Sequence, residues 1–337
     1  MRVLITGGAG YIGSHTVRHL VETGCECVVV DNLVYGHREA VGSAKLVVGD
    51  LADAAFLDRF FAEHHVDAVV HFAAFAYVGE SVTDPQKYYL NNVRGTLNLL
   101  AAMLKHGVPS IVFSSTCATY GVPVYTPIDE EHPQAPINPY GRSKLMIEQV
   151  LNDYHRAYGL QYIALRYFNA AGAAKDGALG ELHTPETHLI PLVLKAITGE
   201  TGPVKILGTD YDTKDGTCVR DYIHVEDLAV AHALALSKVG AFCGKINLGT
   251  GRGTTVKEVI GAAERVSGKT CPTEIAARRA GDPAVLYAAN KKAREVLGWS
   301  PRYTSIDEIV ETAWKWEVGA VRKKWILSTT QWPKGRE

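Results

Sequence analysis

The N-terminal stretch constrains this chain more than any other. Val3-Leu4-Ile5 is a short apolar run with strand character. It leads into Gly7-Gly8-Ala9-Gly10-Tyr11-Ile12-Gly13, after which Ser14 to Thr23 has helical character. Strand, glycine turn and helix in that order form the phosphate-binding start of a dinucleotide fold. Gly7 allows the tight turn, Gly10 lets the backbone approach a pyrophosphate, and Gly13 lets helix pack on strand. The helix N-terminus then presents free N–H groups to phosphates. Val28-Val29-Val30 reads as a second buried strand ending at Asp31, 18 residues past Gly13. A carboxylate there can accept both ribose hydroxyls of an adenosine, and its charge repels a 2′-phosphate, which favours NAD over NADP.

The strand–helix alternation continues. Leu46-Val47-Val48, Ala68 to Phe72, Ile111-Val112-Phe113 and Tyr162 to Leu165 read as strands. Helical patterns run from Asp53 to His64, from Pro85 to His106 and from Pro139 to Tyr158. This alternation predicts an α/β, Rossmann-like, doubly wound parallel sheet covered on both faces. Ligands of such sheets bind at the C-terminal strand ends. The glycine loop, Asp31, Asp50, Ala73 and Thr116 all fall there. Asp50 can reach an adenine amino group or cap the helix that follows. His71 reads as a packed strand histidine without chemistry.

After Gly172 the composition shifts, and residues 173–188 carry no apolar period. The expectation is a NAD-binding domain over 1–172 and a smaller, mixed α/β substrate domain over 173–337. Segments near 214–240 could pack back on the first domain. Helices are expected at 189–198, 224–239 and near 255–267 and 305–317, with strands at 204–207 and 245–248.

Apolar content of 47%, charge of 21% and a net charge of −1 over 337 residues are those of a globular protein without a field for nucleic acid or anionic membrane. No apolar run reaches the ~18 residues of a membrane span. The N-terminus runs straight into a strand, which reads as no signal peptide. The six cysteines form no CxxC pair, and no His/Cys cluster has zinc-ligand spacing. Reduced packing thiols in a cytoplasmic protein, with no metal, are the expectation.

Residues 138–144, Asn-Pro-Tyr-Gly-Arg-Ser-Lys, carry the chemistry. Asn138 can cap a helix with Pro139 at its first position. Tyr140 and Lys144 then share one face, about a turn apart. A phenol is a poor base at neutral pH, but an adjacent ammonium favours the phenolate. Such a pair can take a proton from a substrate hydroxyl. A surface tyrosine beside a solvated lysine is the bland alternative, and the glycine loop weighs against it.

With the glycine loop, Asp31, Thr116 and Tyr140-x-x-x-Lys144 in this order, the chain resembles the extended short-chain dehydrogenase/reductase family. Within it, the match is to nucleotide-sugar 4-epimerases of the UDP-galactose (UDP-glucose) type. Val78-Gly79-Glu80-Ser81, Arg166-Tyr167-Phe168-Asn169, Gly216 to Val225 and Asn247-Leu248-Gly249 carry the match along the chain. The resemblance implies that Tyr140 takes the proton from the sugar 4-hydroxyl while C4 passes hydride to tightly held NAD. Hydride then returns to the other face of the 4-keto sugar. Thr116 bridges Tyr140 and substrate, and Lys144 also grips the nicotinamide ribose.

The resemblance further implies NAD contacts, beside Gly7, Gly10 and Gly13, from Tyr11, Ile12, Asp31, Asn32, Asp50, Leu51, Phe72, Ala73, Ala74, Asn91, Tyr140, Lys144 and Phe168. It implies substrate contacts from Thr116, Tyr140, Tyr167, Asn169, Leu189, Leu207, Arg220, Arg279 and Asp282. A guanidinium at Arg220 also suits a diphosphate on its own chemistry, though pairing with Asp221 is an alternative. Relatives are usually homodimers, paired through the helices near 85–106 and 139–158.

Some positions depart from the pattern. Ala76 stands where some relatives place a lysine, His188 where an asparagine often meets the substrate, and Leu286 where a tyrosine or cysteine sets the room around the sugar. UDP-xylose/UDP-arabinose and UDP-N-acetylglucosamine 4-epimerases therefore remain alternatives. A dehydratase or decarboxylase needs carboxylates after Thr116, where this chain has Cys117-Ala118. A non-catalytic NAD-binding protein could dispense with Tyr140 and Lys144.

Overall fold

The structure, a computed structural model, describes residues 1–279 and 282–330. Its centre is a seven-stranded, wholly parallel sheet. The strands are β1 (Arg2–Thr6), β2 (Glu26–Asp31), β3 (Lys45–Val48), β4 (Ala68–His71), β5 (Ser110–Thr116), β6 (Gln161–Tyr167) and β7 (Gly244–Leu248). Their order is β7-β6-β5-β4-β1-β2-β3. The chain therefore reverses direction across the sheet beside β1, and a crevice opens there at the strand C-termini.

Alternate residues of each strand face opposite sides, and both sides are apolar, as a doubly covered parallel sheet requires. Val3, Ile5, Val29 and Val70 pack with helices α1 (Tyr11–Glu22) and, later in the chain, Val225–Lys238. Leu4, Val28, Val69, Ile111 and Phe113 face the other way. They meet α2 (Ala54–Glu63), α3 (Gly95–Lys105) and α4 (Pro139–Tyr158) through Leu57, Phe60, Leu99, Ile147 and Leu151.

Helix α4 begins where the sequence places it. The Asn138 side chain accepts from the Gly141 N–H at 2.8 Å, with Pro139 in the first turn, and Gly159 closes the helix in the left-handed region at φ 74°. Asp53 caps α2 by accepting from Phe56 N–H at 2.9 Å. Asp50 is therefore not the cap.

Two expectations change. The helix expected from Pro85 to His106 runs on to Lys105 but is not α-helical throughout. A short helix, Pro85–Tyr88, passes through a π-helical turn over Tyr89–Arg94 before α3. The wide turn places Asn92 so that its carboxamide accepts from Phe75 N–H at 2.9 Å and donates to Phe75 O at 3.0 Å and Ser143 Oγ at 3.1 Å. The stretch after residue 172 is also not one unit. Helix Val225–Lys238 packs beside α1, and β7 extends the main sheet by pairing with β6 from Gly244↔Ile163 to Leu248↔Tyr167.

The remainder forms a smaller layer over the crevice. Helices α5 (Leu189–Thr198), α7 (Val256–Ser267) and α8 (Ile306–Glu317) share a core of Ile190, Val193, Val259, Ile309 and Val310, whereas α6, Val225–Lys238, belongs to the main-sheet core. Val204–Leu207 pairs in parallel with Thr273–Ala276, and Val219–Arg220 lies between Thr254–Thr255 and Val285–Leu286.

His71, at the end of β4, is a structural group. Thr96 Oγ1 already donates to Asn92 O at 2.6 Å. The 2.8 Å contact between Thr96 Oγ1 and His71 Nε2 must therefore carry a ring proton, and Nδ1 accepts from Thr6 Oγ1 at 2.6 Å. That satisfies a neutral imidazole, and burial, with Lys144 adding to it, lowers its pKa to about 3. As pH falls, the unfolded chain protonates first, near ~6.5. The stabilisation is complete above that value and is lost as pH falls towards 3. Ring-nitrogen NMR is expected to show His71 neutral at pH 5; a ring that titrates above pH 5 would contradict this pairing.

Candidate active site

The crevice is a cavity of about 1670 Å³. Every residue assigned above to catalysis, cofactor or substrate lines it. Sheet topology explains the convergence, because the groups lie at strand C-termini or in the layer that covers them.

One side is the glycine loop. A Cβ on Gly7, which has φ +72°, would lie 2.5 Å from Ala73 N. One on Gly13 would lie 2.2 Å from Gly7 O. Only bare backbone fits in these places. Gly10 is the N-cap of α1, and no side chain caps the first turn, which leaves its amides for a ligand. Tyr11 and Ile12 open the helix into the cleft, and the Tyr11 hydroxyl donates to Gly172 O at 2.6 Å.

Next along the sheet, Asp31 accepts from Ala9 N–H at 3.0 Å and Leu33 N–H at 2.8 Å, one on each carboxylate oxygen. Each oxygen keeps a lone pair free for a hydroxyl. Burial raises this carboxyl while the two amide bonds work against the rise. Asn32 donates to Asp50 at 2.9 Å, so these two neighbours act as one polar edge beside Leu51. Phe72, Ala73 and Ala74 continue β4 along the cleft floor, and Asn91 donates to Asn92 at 2.9 Å from the wall. These groups, a backbone cradle with an acid at the next strand end, fit an adenine dinucleotide.

The other end holds Thr116, Tyr140 and Lys144. Desolvation in the cleft pushes the Tyr140 phenol above its ordinary value, Tyr167 adds to the rise, and a hydrogen bond with Thr116 opposes it. Lys144 is 3% exposed and donates to Ser114 O at 2.8 Å. Burial lowers its pKa to about 7, against the pull of Glu148. The expectation that Lys144 lowers the Tyr140 pKa is thus not what this structure shows. Both groups are desolvated, and the phenol is held up rather than down.

Phe168 and Tyr167 extend β6 into the cleft. The Tyr167 hydroxyl hydrogen-bonds Ser114 Oγ, and burial raises its pKa to about 12 against that bond. Asn169 is held by Asp221 O, to which its side chain donates at 3.1 Å. The covering layer supplies Leu189, Leu207, Leu286 and a charged trio. Arg220 donates to Asp282 at 2.7 Å and to Val219 O at 2.8 Å, so its partner is Asp282 and not Asp221. Asp221 instead binds Thr250, Gly251 and Ala288. Arg279 is exposed at the rim, whereas Arg278 is engaged by Asp210 at 2.7 Å and lies 4.1 Å over the Tyr211 ring.

Three features escaped sequence reasoning. Ser114 anchors both Lys144 and Tyr167. Glu148 lies one turn beyond Lys144 on the same helix face, and that i+4 spacing was the signal for it. Glu181, His183, Glu186 and His188 bring four donor atoms within 4.8 Å of one another beside the cleft. A search for Cys/His spacing alone passes over such a set.

A doubly wound sheet with this cradle, strand-end acid and Tyr–Lys helix defines a dinucleotide-binding protein equipped for proton transfer. Residues 3–249 match the NAD dependent epimerase/dehydratase family. The chain is 54% identical over 319 residues to a UDP-glucose 4-epimerase of Halalkalibacterium halodurans, covering 94% of this chain and 95% of that one. Among solved structures it is similar to a UDP-glucose 4-epimerase from Brucella ovis in complex with NAD. That match has 52% identity and a TM-score of 0.91, over 93% of this chain and 97% of the other. A UDP-glucose 4-epimerase from Bifidobacterium longum in complex with NAD+ and UDP matches at 42% identity and a TM-score of 0.89, over 94% and 98%. The chain belongs to the NAD dependent epimerase/dehydratase family.

Proposed function

We propose that this protein is a nucleotide-sugar 4-epimerase, an isomerase that interconverts UDP-glucose and UDP-galactose through a 4-keto sugar. The observation that carries the reading is that Tyr140, Thr116 and Lys144 line the same cleft as the glycine cradle. When bound, NAD supplies the hydride acceptor and donor for C4. Asp31 takes the adenosine ribose, the edge of Asn32, Asp50 and Leu51 takes the adenine side, and Phe72 to Ala74, Asn91 and Phe168 line the rest of the path. Tyr140 moves the proton of the 4-hydroxyl, and Thr116 holds phenol and substrate in line. Lys144 keeps a positive charge behind them when protonated. Arg220 and Arg279 face the diphosphate, with Asp282 fixing the Arg220 fork. Tyr167, Asn169, Leu189 and Leu207 hold the nucleotide and sugar.

Cys117-Ala118 after Thr116 provides no carboxylate to expel water, which favours epimerisation over dehydration. The same reading makes the protein a cytoplasmic homodimer. Free thiols at all six cysteines suit that compartment. Exposed Leu90, Leu97 and Met146, on the two helical stretches named above, suit a paired face.

The test is epimerisation by purified protein without added NAD, with UDP-galactose, UDP-xylose and UDP-N-acetylgalactosamine in parallel. Turnover of UDP-galactose at the highest rate is the expected result. No turnover of any, even with NAD added, would overturn the reading, and a stable 4-keto product would point to a dehydratase. A Cβ at Gly13 has nowhere to go, so Gly13→Ala is expected to strain the cradle by about 1–3 kcal/mol. NAD retained through purification, read by absorbance after denaturation, is expected to fall about tenfold. Full retention would remove Gly13 from the cradle.

A further inference from the structure

The segment between Gly180 and α5 carries an unassigned cluster. Four side chains within eight residues converge on one point. His188 Nδ1 lies 2.7 Å from a Glu181 oxygen and 2.9 Å from a Glu186 oxygen. His183 Nδ1 lies 3.0 Å from the same Glu181 oxygen and 3.9 Å from the second Glu186 oxygen. Tetrahedral N and O donors at zinc-ligand distances are separated by about 3.3 Å. The four separations bracket that edge length.

Proton counting favours a cation here. Each neutral imidazole can place one proton on Nδ1, yet one His188 nitrogen faces two carboxylates and one Glu181 oxygen faces two imidazoles. The second oxygen of Glu186 is buried and has no hydrogen-bond partner among the described residues, on a side chain only 4% exposed. Such an atom is costly to leave unpaired, and more so when charged. It points into the cluster, 3.9 Å from His183.

The loop is also held in place before any ion arrives. Trp316 Nε1–H donates to Glu181 O at 2.9 Å, and His37 Nε2 contacts Leu182 O at 2.9 Å. Glu186 accepts from Thr187 N–H at 2.7 Å and His188 N–H at 2.8 Å. The N-terminus of α5 opposes a cation with roughly half a positive charge, but two carboxylates outweigh it. Two imidazoles and two carboxylates without sulfur suit zinc, with cobalt as its spectroscopic substitute.

We infer that Glu181, His183, Glu186 and His188 form a binding site for one divalent transition-metal ion of the zinc class, in the cleft wall at the start of α5. Two carboxylates and two neutral imidazoles neutralise a dication, and the ion takes the place of the shared protons. Proton and metal compete for the same nitrogens, so affinity falls with falling pH.

The experiment uses the untagged full-length protein, stripped with a chelator and titrated with zinc against a chromophoric competitor at pH 7.5 and pH 6. One zinc per chain with submicromolar Kd is expected, at least tenfold weaker at pH 6. The cobalt form is expected to show the intense visible bands of a tetrahedral site. Glu186→Gln, which keeps the side-chain shape, and His183→Ala are each expected to weaken zinc binding at least 100-fold while far-ultraviolet circular dichroism stays native. No stoichiometric zinc tighter than about 10 µM, or binding that survives both substitutions, would overturn the assignment.

Discussion

Tyr140→Phe is expected to lower turnover by about 10²–10⁴ while the protein keeps its NAD, the usual scale for one positioned acid–base group. The substitution removes one oxygen and leaves the ring. Tyr140 sits in the first turn of α4, whose start is fixed by Asn138 and Pro139 rather than by the phenol. The fold and the cradle, which is built on the loop after β1 against the end of β4, should therefore persist. What is lost is the proton acceptor, whose pKa Thr116 pulls down against the burial that raises it. Steady-state epimerisation and NAD absorbance, measured on the same preparation, separate the two effects. Near-normal turnover would take Tyr140 out of the mechanism.

Elements set by local chemistry were legible in the sequence. Helix α4 and α5 follow their predicted bounds because caps and apolar period agree. The strands of the main sheet were found as apolar runs; the structure lengthens all of them by a residue or more except β4, which ends at His71, one residue short of the expected Phe72. Strand-end residues were legible as a group because a parallel sheet delivers every C-terminus to one edge. What depends on distant partners was not. The π-helical turn at Tyr89–Arg94 is stabilised by Asn92 reaching Phe75 and Ser143, which no local pattern announces. Gly244–Leu248 has the same short apolar signature as the strands of the covering layer, and only its register on β6 assigns it to the main sheet. Arg220 finds Asp282, 62 residues away, in preference to its neighbour Asp221. The burial of Lys144 was not legible for a related reason. Spacing shows that it is near Tyr140, but only burial shows how little solvent is left to support its charge.

Glu148→Gln is expected to destabilise the protein by about 3–5 kcal/mol, the cost of leaving one member of a buried ion pair without its partner. The Glu148 and Arg166 side chains are 1% and 0% exposed. Arg166 donates to the two carboxylate oxygens at 2.8 and 2.5 Å, and Ser115 Oγ donates to one of them at 2.6 Å. The same guanidinium donates to the Tyr120 hydroxyl at 2.8 Å, which in turn donates to Asn247 at 2.7 Å. The network thus ties α4 to β5, β6 and β7. A glutamine keeps one acceptor and turns an amide nitrogen towards a guanidinium that can only donate. The urea midpoint should fall accordingly. Replacing both members by apolar residues, Glu148→Met with Arg166→Met, should recover most of the loss, because no charge is then left buried. Glu148 also acts on chemistry one turn away. Its field opposes the burial that lowers Lys144 to about 7. Without it the ammonium gives up its proton at a lower pH. The limb on which activity falls as Lys144 deprotonates should therefore move to lower pH in Glu148→Gln, and mild acidification should restore part of the turnover lost at pH 7. An unchanged urea midpoint would show that the pair is not what fixes α4 against the sheet. An unmoved pH limb would show that Lys144 does not sense Glu148.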